Sequence, residues 1–164
     1  MLGAVDLPQA LVERLLDRWP VARLATLGRE GPHQVPVVFA RSGALLWLPV
    51  DGKPKGSAEL ARVRHVRSES RVSLLLDHYE EDWRCLWWLR VVGAARVVEP
   101  AGERGDAELE AAVAALRAKY PQYLSVAVLR EPATLIRVEP VRVRSWCAGE
   151  EALARALVLL EARP

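Results

Sequence analysis

Hydrophobic positions recur every three or four residues between Leu7 and Trp19. Leu11, Leu15 and Leu16 share one face, Pro8 falls in the first turn where it is tolerated, and Pro20 ends the segment. This spacing predicts a helix over residues 8–19. From Val21 the period changes: VARLATL reads as a strand, Gly28 to Pro32 as a turn, and HQVPVVFA as a second strand. ALLWLPV, after Ser42-Gly43, reads as a third. The first third of the chain is therefore expected to be one helix and a three-stranded meander.

GKPKGS, with two glycines and a proline in six residues, is no regular element. AELARVRHVRSES places Leu60, Val63 and Val66 at helical spacing, and RVSLLLDH reads as a buried strand. EEDW is a polar loop. LWWLRVVGAARVVE is one long strand with Gly93 at a bulge or bend. Gly105 to Tyr120 form an amphipathic helix stopped by Pro121. ATLIRVEPVRVRSW is a last strand interrupted at Pro140, which suits an edge or a bulge. Residues 149–162, with Leu153, Leu157 and Leu160, read as a terminal helix. Six or so strands joined mostly by short turns predict an α+β fold: an antiparallel barrel with flanking helices, as one domain over residues 1–164. A doubly wound parallel sheet is disfavoured, and neither GxGxxG nor GxxxxGK is present.

Composition narrows the class. Of 164 residues, 51% are hydrophobic and 27% charged, which excludes a disordered tail, a fibre or a disulfide-stapled miniprotein. No apolar run approaches the roughly 20 residues of a membrane helix. The N-terminal segment lacks the pattern of a signal peptide. Cys85 and Cys147 have no metal or disulfide spacing, so two reduced thiols and a cytoplasmic location are expected. The net charge of +2 does not by itself point to nucleic acid. Of the 23 basic residues only Lys53, Lys55 and Lys119 are lysines, and two of them lie in one three-residue stretch.

That stretch is the first candidate for chemistry. Val50-Asp51-Gly52-Lys53-Pro54-Lys55-Gly56-Ser57 joins a strand to a helix. Two ammonium groups and a hydroxyl converge before a helix N-terminus, as in a phosphate cradle or, more plainly, a solvated loop capped by Ser57. Asp77 to Asp82 surrounds His78 with carboxylates, but without a second histidine at ligand spacing it reads as a solvated turn. His33 and His65 receive no role, and Ser73 has no nucleophile elbow. Trp87 and Trp88 are neighbours on a strand and must face opposite sides, so one is expected to look outward. The basic run Arg62, Arg64, Arg67 and Arg71 fits a solvated helix face or an extended anionic small molecule. It lacks the aromatic interleaving of a nucleic-acid site.

The succession ARLATLGREGPHQVPVVFA, LLWLPVDGKPKGSAEL and SRVSLLLDHYEEDWRCLWWLRVVGAARVVE resembles the pyridoxamine 5'-phosphate oxidase-like family of FMN-binding split barrels, over roughly residues 10–146. DHYEEDWRCLWWLRV with ALRAKYPQY resembles its branch of F420-dependent enzymes. The resemblance implies that the backbone of Val35, Pro36 and Val37 lies along the cofactor ring, and that Val50 and Asp51 border the ring's polar edge. It implies a phosphate grip by Lys53 and Lys55 with Ser57 assisting. Where the oxidases proper carry adjacent Arg-Lys, this chain has Lys-Pro-Lys. Trp88 takes the place of a glutamine that reaches the ring from the second subunit, with Arg90 two residues on. The oxidases' C-terminal substrate-binding pattern is missing, so vitamin B6 oxidation is not expected.

The leading expectation is a deazaflavin (F420)-dependent oxidoreductase that passes a hydride between the cofactor and a small unsaturated substrate, with Arg62 and Arg64 meeting the anionic tail. The alternatives are an FMN-dependent oxidase or reductase on the same barrel and a non-enzymatic flavin- or deazaflavin-binding protein. A homodimer with the cofactor at the subunit interface is expected, without nucleic acid, membrane or metal. No general acid or base stands out, which is compatible with hydride transfer because the cofactor supplies the chemistry.

Overall fold

The computed structural model describes residues 5–50, 59–101 and 103–162. Helix α1 (Gln9–Arg18) leads into β1 (Ala22–Gly28), β2 (Gly31–Val37), β3 (Ala40–Ser42) and β4 (Leu45–Pro49). Then come α2 (Ala61–Ser68), β5 (Arg71–His78), β6 (Trp87–Val98), α3 (Glu103–Lys119), β7 (Leu135–Cys147) and α4 (Glu150–Glu161). Short 3-10 turns occupy Trp83–Cys85 and Pro121–Leu124. Among the described residues the strands form one antiparallel sheet of seven, in the order β2-β1-β5-β6-β7-β4-β3. The sheet does not close: β2 and β3 are its two edges. This is the expected α+β split barrel with flanking helices.

Alternation builds the sheet. β6 buries Trp87, Leu89, Val91 and Ala95 on one face, and β5 buries Val72, Leu74 and Leu76 beside them. Leu11, Val12, Leu15 and Leu16 of α1, Val63 and Val66 of α2, and Ala152, Ala156 and Leu160 of α4 join the same core. α3 supplies Leu109 and Ala112 to a second cluster around Trp47. It adds Leu116 to a third cluster with Tyr120 and Tyr123.

The bulge falls where glycine and proline marked it. Between Val92 and Gly93 the β6–β7 register shifts, pairing Gly93 with Pro140 and leaving Val141 as the extra residue. A Cβ on Gly93 would meet the carbonyl oxygen of Glu139 at 2.7 Å, so only glycine lets the two backbones approach there. Pro140 also lies just beyond the last β7 residue that pairs with β4, Val138.

The three-stranded meander is not what forms. β2 pairs only with β1, and the β3–β4 hairpin lies at the opposite edge of the sheet, against β7. The segment HQVPVVFA, expected as one strand, breaks at Val38 and Phe39. Phe39 is fully buried, and its backbone leaves the ladder for the Tyr120 hydroxyl, which sits 3.1 Å from its N–H and 2.7 Å from its carbonyl oxygen.

Next to Tyr120, Lys119 donates to the Leu16 carbonyl oxygen at 3.3 Å and holds its ammonium 3.6 Å from the centre of the Phe39 ring. Burial pushes its pKa from 10.5 down to about 7, with Asp17 opposing the shift. A lysine with a depressed folded pKa binds fewer protons than the unfolded chain between those two values. Stability from this group therefore rises with pH across that window. Lys119→Met is expected to stabilise the protein at pH 6 by on the order of 1–3 kcal/mol, the cation–π contact offsetting part of the gain. The advantage should shrink toward pH 10, as read by denaturant midpoints of both proteins across pH.

Candidate functional site

The site grows from the β1–β2 hairpin and the helix laid against it. Register pairs Thr26 with His33, so both point to the face that α2 covers. His65 of α2 comes down on them. Its Nδ1 lies 3.0 Å from the Thr26 hydroxyl, and its ring meets that of His33 edge-on with centroids 5.2 Å apart. The imidazole also rests on Gly28, where any Cβ would collide with the ring nitrogen Nε2. Glycine at the end of β1 is thus what lets His65 approach the hairpin. His33 Nδ1 is buried without a hydrogen-bond partner among the described residues.

Between the hairpin turn and α2 lies a cleft of about 650 Å³. Arg29, Arg64, His33, His65 and Ser68 line it, with Glu30 the single carboxylate among the described lining residues. Arg64 donates through Nη1 to the Glu59 carbonyl oxygen at 2.6 Å, which holds the guanidinium at the start of the helix. Residues two apart on a helix sit on opposite sides, and Arg64, not Arg62, is the one that lines the cleft. The rest of the basic run is engaged internally. Arg67 pairs with Glu59 at 3.2 Å and Glu99 at 2.8 Å, and Arg71 with Glu69 at 2.8 Å. A helix face neutralised in this way offers little to a nucleic-acid backbone. The donor set of the cleft suits an anion such as a phosphate.

Of the residues expected to hold a cofactor, Asp51, Lys53, Lys55 and Ser57 lie outside the described residues. Val35, Pro36 and Val37 form the far half of edge strand β2: Val35 half-buried, Pro36 exposed and Val37 buried. Pro36 lacks an N–H, which an edge strand accommodates. Val50 is buried, and both its backbone groups are taken, its N–H by the Thr134 carbonyl at 3.1 Å and its carbonyl by the Arg130 N–H at 3.0 Å. Trp88 and Arg90 sit three strands from β2, on the sheet's outer face, with the Arg90 guanidinium 5.4 Å from the Trp88 ring centre. At about 4.8 Å per strand they do not reach this chain's own cleft. Trp87 points inward, fully buried, edge-on to Trp19 at 4.8 Å. The pair divides between the two faces as expected, although the most exposed tryptophan is Trp83, at 72%.

The carboxylate run is structural. Asp77 pairs with Arg23 at 3.0 Å, and Asp82 caps the turn by accepting from the Arg84 N–H at 3.1 Å. Glu80 accepts from Arg155 of α4 at 2.6 Å and contacts His78 at 3.0 Å, and these partners hold its pKa down at about 2. No grouping suited to a metal ion occurs among the described residues. No described helix is long and apolar enough to cross a membrane.

Sequence pattern alone does not single out His33, His65, Arg29 or Ser68. The alternation of β2 puts His33 on the face of Val35 and Val37, and helical spacing groups Ala61, His65 and Ser68. That α2 folds onto this hairpin is a tertiary fact.

The sequence matches the pyridoxamine 5'-phosphate oxidase family over residues 8–147. The chain belongs to that family. The match ends at Cys147, the last residue of β7, before α4. No curated protein matches the sequence. Among solved structures, a conserved hypothetical protein from Mycobacterium tuberculosis aligns with a TM-score of 0.63 at 20% identity, covering 93% of this chain and 88% of that one. A FAD-binding protein from Mesorhizobium loti aligns with a TM-score of 0.59 at 21% identity, covering 88% of this chain and 97% of that one. A heme-binding protein from Mycobacterium smegmatis aligns with a TM-score of 0.60 at 22% identity, covering 93% of this chain and 62% of that one. At these identities the likeness is one of fold.

Proposed function

We propose that this protein is an oxidoreductase that uses a phosphate-bearing deazaflavin, F420, and that the cleft between the β1–β2 turn and α2 takes the cofactor's anionic end. The observation that carries the reading is the lining of that cleft, two guanidinium groups and two imidazoles beside an edge strand. The name of the Mesorhizobium loti relative supports a flavin-type ligand on this fold. The donor chemistry fits a phosphate, as does His33 Nδ1, buried without a partner among the described residues. Lys53, Lys55 and Ser57 would complete the grip, and the backbone of Val35, Pro36 and Val37 would lie along the ring. Bound there, the cofactor supplies hydride chemistry. The chain orients it and screens it from water.

F420 is preferred to FMN because its tail is polyanionic and the cleft offers charge beyond one phosphate group. Arg64 is the arginine that would meet it. FMN is the second reading, favoured by the family itself. A carrier that binds without turnover uses the same site.

The cofactor is proposed to lie at the interface of a homodimer. Trp88 and Val92 of β6 stand on the sheet's outer face, where register sets them opposite Trp146 and Arg142 of β7 with the Arg90–Arg144 pair between them, and Val141, the extra residue of the bulge, is 74% exposed. A face on which tryptophans alternate with arginines suits a partner subunit, since both residue types are enriched in interfaces. A partner's Trp88 and Arg90 would then approach the cofactor that this chain's own pair does not reach. Light scattering at micromolar concentration is expected to give twice the chain mass. Titration of the purified protein is expected to give tighter binding of F420 than of FMN, with F420 binding weakened by salt because exposed pairs are screened beyond about 8 Å. A flavin absorbance retained through purification, with F420 failing to bind, would move the assignment to FMN.

A further inference from the structure

A second pocket lies at the other end of the same hairpin. Ala22 and Val37 form the pair that ends the β1–β2 ladder, opposite the Gly28–Gly31 turn. Just beyond that pair, Val21 and Val38 line a pocket of about 320 Å³ with Tyr120, Gln122, Tyr123 and Val126. The two pockets therefore bracket β2, whose seven residues span roughly 20 Å. One end is basic. The other has no charged side chain among its described lining residues.

We propose that this pocket receives the substrate, and that the substrate is an uncharged, mostly apolar planar molecule with one carbonyl or hydroxyl group. The inference rests on the cofactor reading above, in which the anionic end lies at the turn and the ring along Val35–Val37, toward this pocket. The chemistry of the occupant follows from the lining. A charged ligand would lose its hydration here without gaining a partner. Lys119, the nearest cation by sequence, is turned away onto the Phe39 ring and the Leu16 carbonyl. The Tyr120 hydroxyl is committed to the Pro20 and Phe39 carbonyl oxygens, at 2.9 and 2.7 Å, and burial pushes its pKa up, so it stays neutral. The Tyr123 ring packs edge-on against Tyr120, and the exposed amide of Gln122 offers the polar handle, a donor and an acceptor for one oxygen of the ligand. Part of the apolar lining is open to solvent: Val126 is 41% exposed and Val21 39%. A planar apolar ligand removes such groups from water.

The test uses 1-naphthol and its anionic counterpart 1-naphthoate as probes, titrated calorimetrically into the full-length protein. 1-Naphthol is expected to bind at least tenfold tighter than 1-naphthoate. Val126→Glu, at an already exposed position, should weaken 1-naphthol tenfold or more while leaving the melting temperature and F420 affinity unchanged. Gln122→Leu, on the exposed turn, should weaken 1-naphthol severalfold without affecting naphthalene. Equal affinity for the two probes, or 1-naphthol affinity untouched by both substitutions, overturns the inference. Loss of F420 binding in the wild type, with the naphthol results as expected, overturns the cofactor reading alone and leaves the pocket an apolar ligand site.

Discussion

The Lys53→Ala, Lys55→Ala double variant is expected to fold with an unchanged melting temperature and to bind its cofactor about 100- to 10,000-fold more weakly. Each ammonium–phosphate hydrogen bond contributes about 1.5–3 kcal/mol, or roughly ten- to a hundredfold in affinity. The two bonds share one phosphate, so the sum is an upper range, reached only if Arg64 and the imidazoles do not take over. Fold stability should not follow, because the double variant leaves every apolar side chain of the described core clusters in place. Cofactor titration beside a thermal melt reads both quantities. Unchanged affinity would reduce the stretch from Lys53 to Ser57 to a solvated connection.

The largest effect on stability is expected at Trp87. Its indole is fully buried, edge-on to Trp19 and stacked on His78 with centroids 6.5 Å apart. Trp87→Ala leaves a cavity beneath β6 and is expected to cost about 3–5 kcal/mol. For a chain of this size that lowers the melting temperature by roughly 6–20 °C. Trp87→Phe should cost much less. It keeps most of the packing, and the indole N–H has no hydrogen-bond partner among the described residues to lose. Trp88→Ala, on the outer face, should leave the melting temperature of a monomer nearly unchanged, and any decrease should depend on protein concentration. Thermal melts of the three variants at two concentrations separate these outcomes.

The contrast between the two tryptophans shows how much a linear pattern carries. Alternation along WWLRVVGAARVV assigns each residue of β6 a face, and Gly93 with Pro140 marks the bulge, because these are local properties of a strand. Leu109, Ala112 and Leu116 mark α3 in the same way. Long-range pairing is not legible in that manner. HQVPVVFA looks like one continuous strand, yet Tyr120, some eighty residues on, takes over the backbone of Phe39 and frees β3 to join the far edge. The candidate site divides similarly. The basic loop and Arg64 are visible as composition and spacing. His33 and His65 are not, because their meeting depends on α2 docking against Gly28, an approach that neither segment's pattern encodes.

The most direct measurement of the central claim is the F420 affinity of two cleft variants, Arg64→Ala and Gly28→Ala, against the wild type at low and high salt. Arg64→Ala removes a charge from the lining, and Gly28→Ala drives the His65 ring off the hairpin while both lysines, Lys53 and Lys55, stay in the sequence. The account predicts weaker binding in both, by about tenfold or more for each charge-assisted hydrogen bond removed, and a shallower salt dependence in Arg64→Ala. Wild-type affinity in both variants, with the salt dependence unchanged, would contradict it.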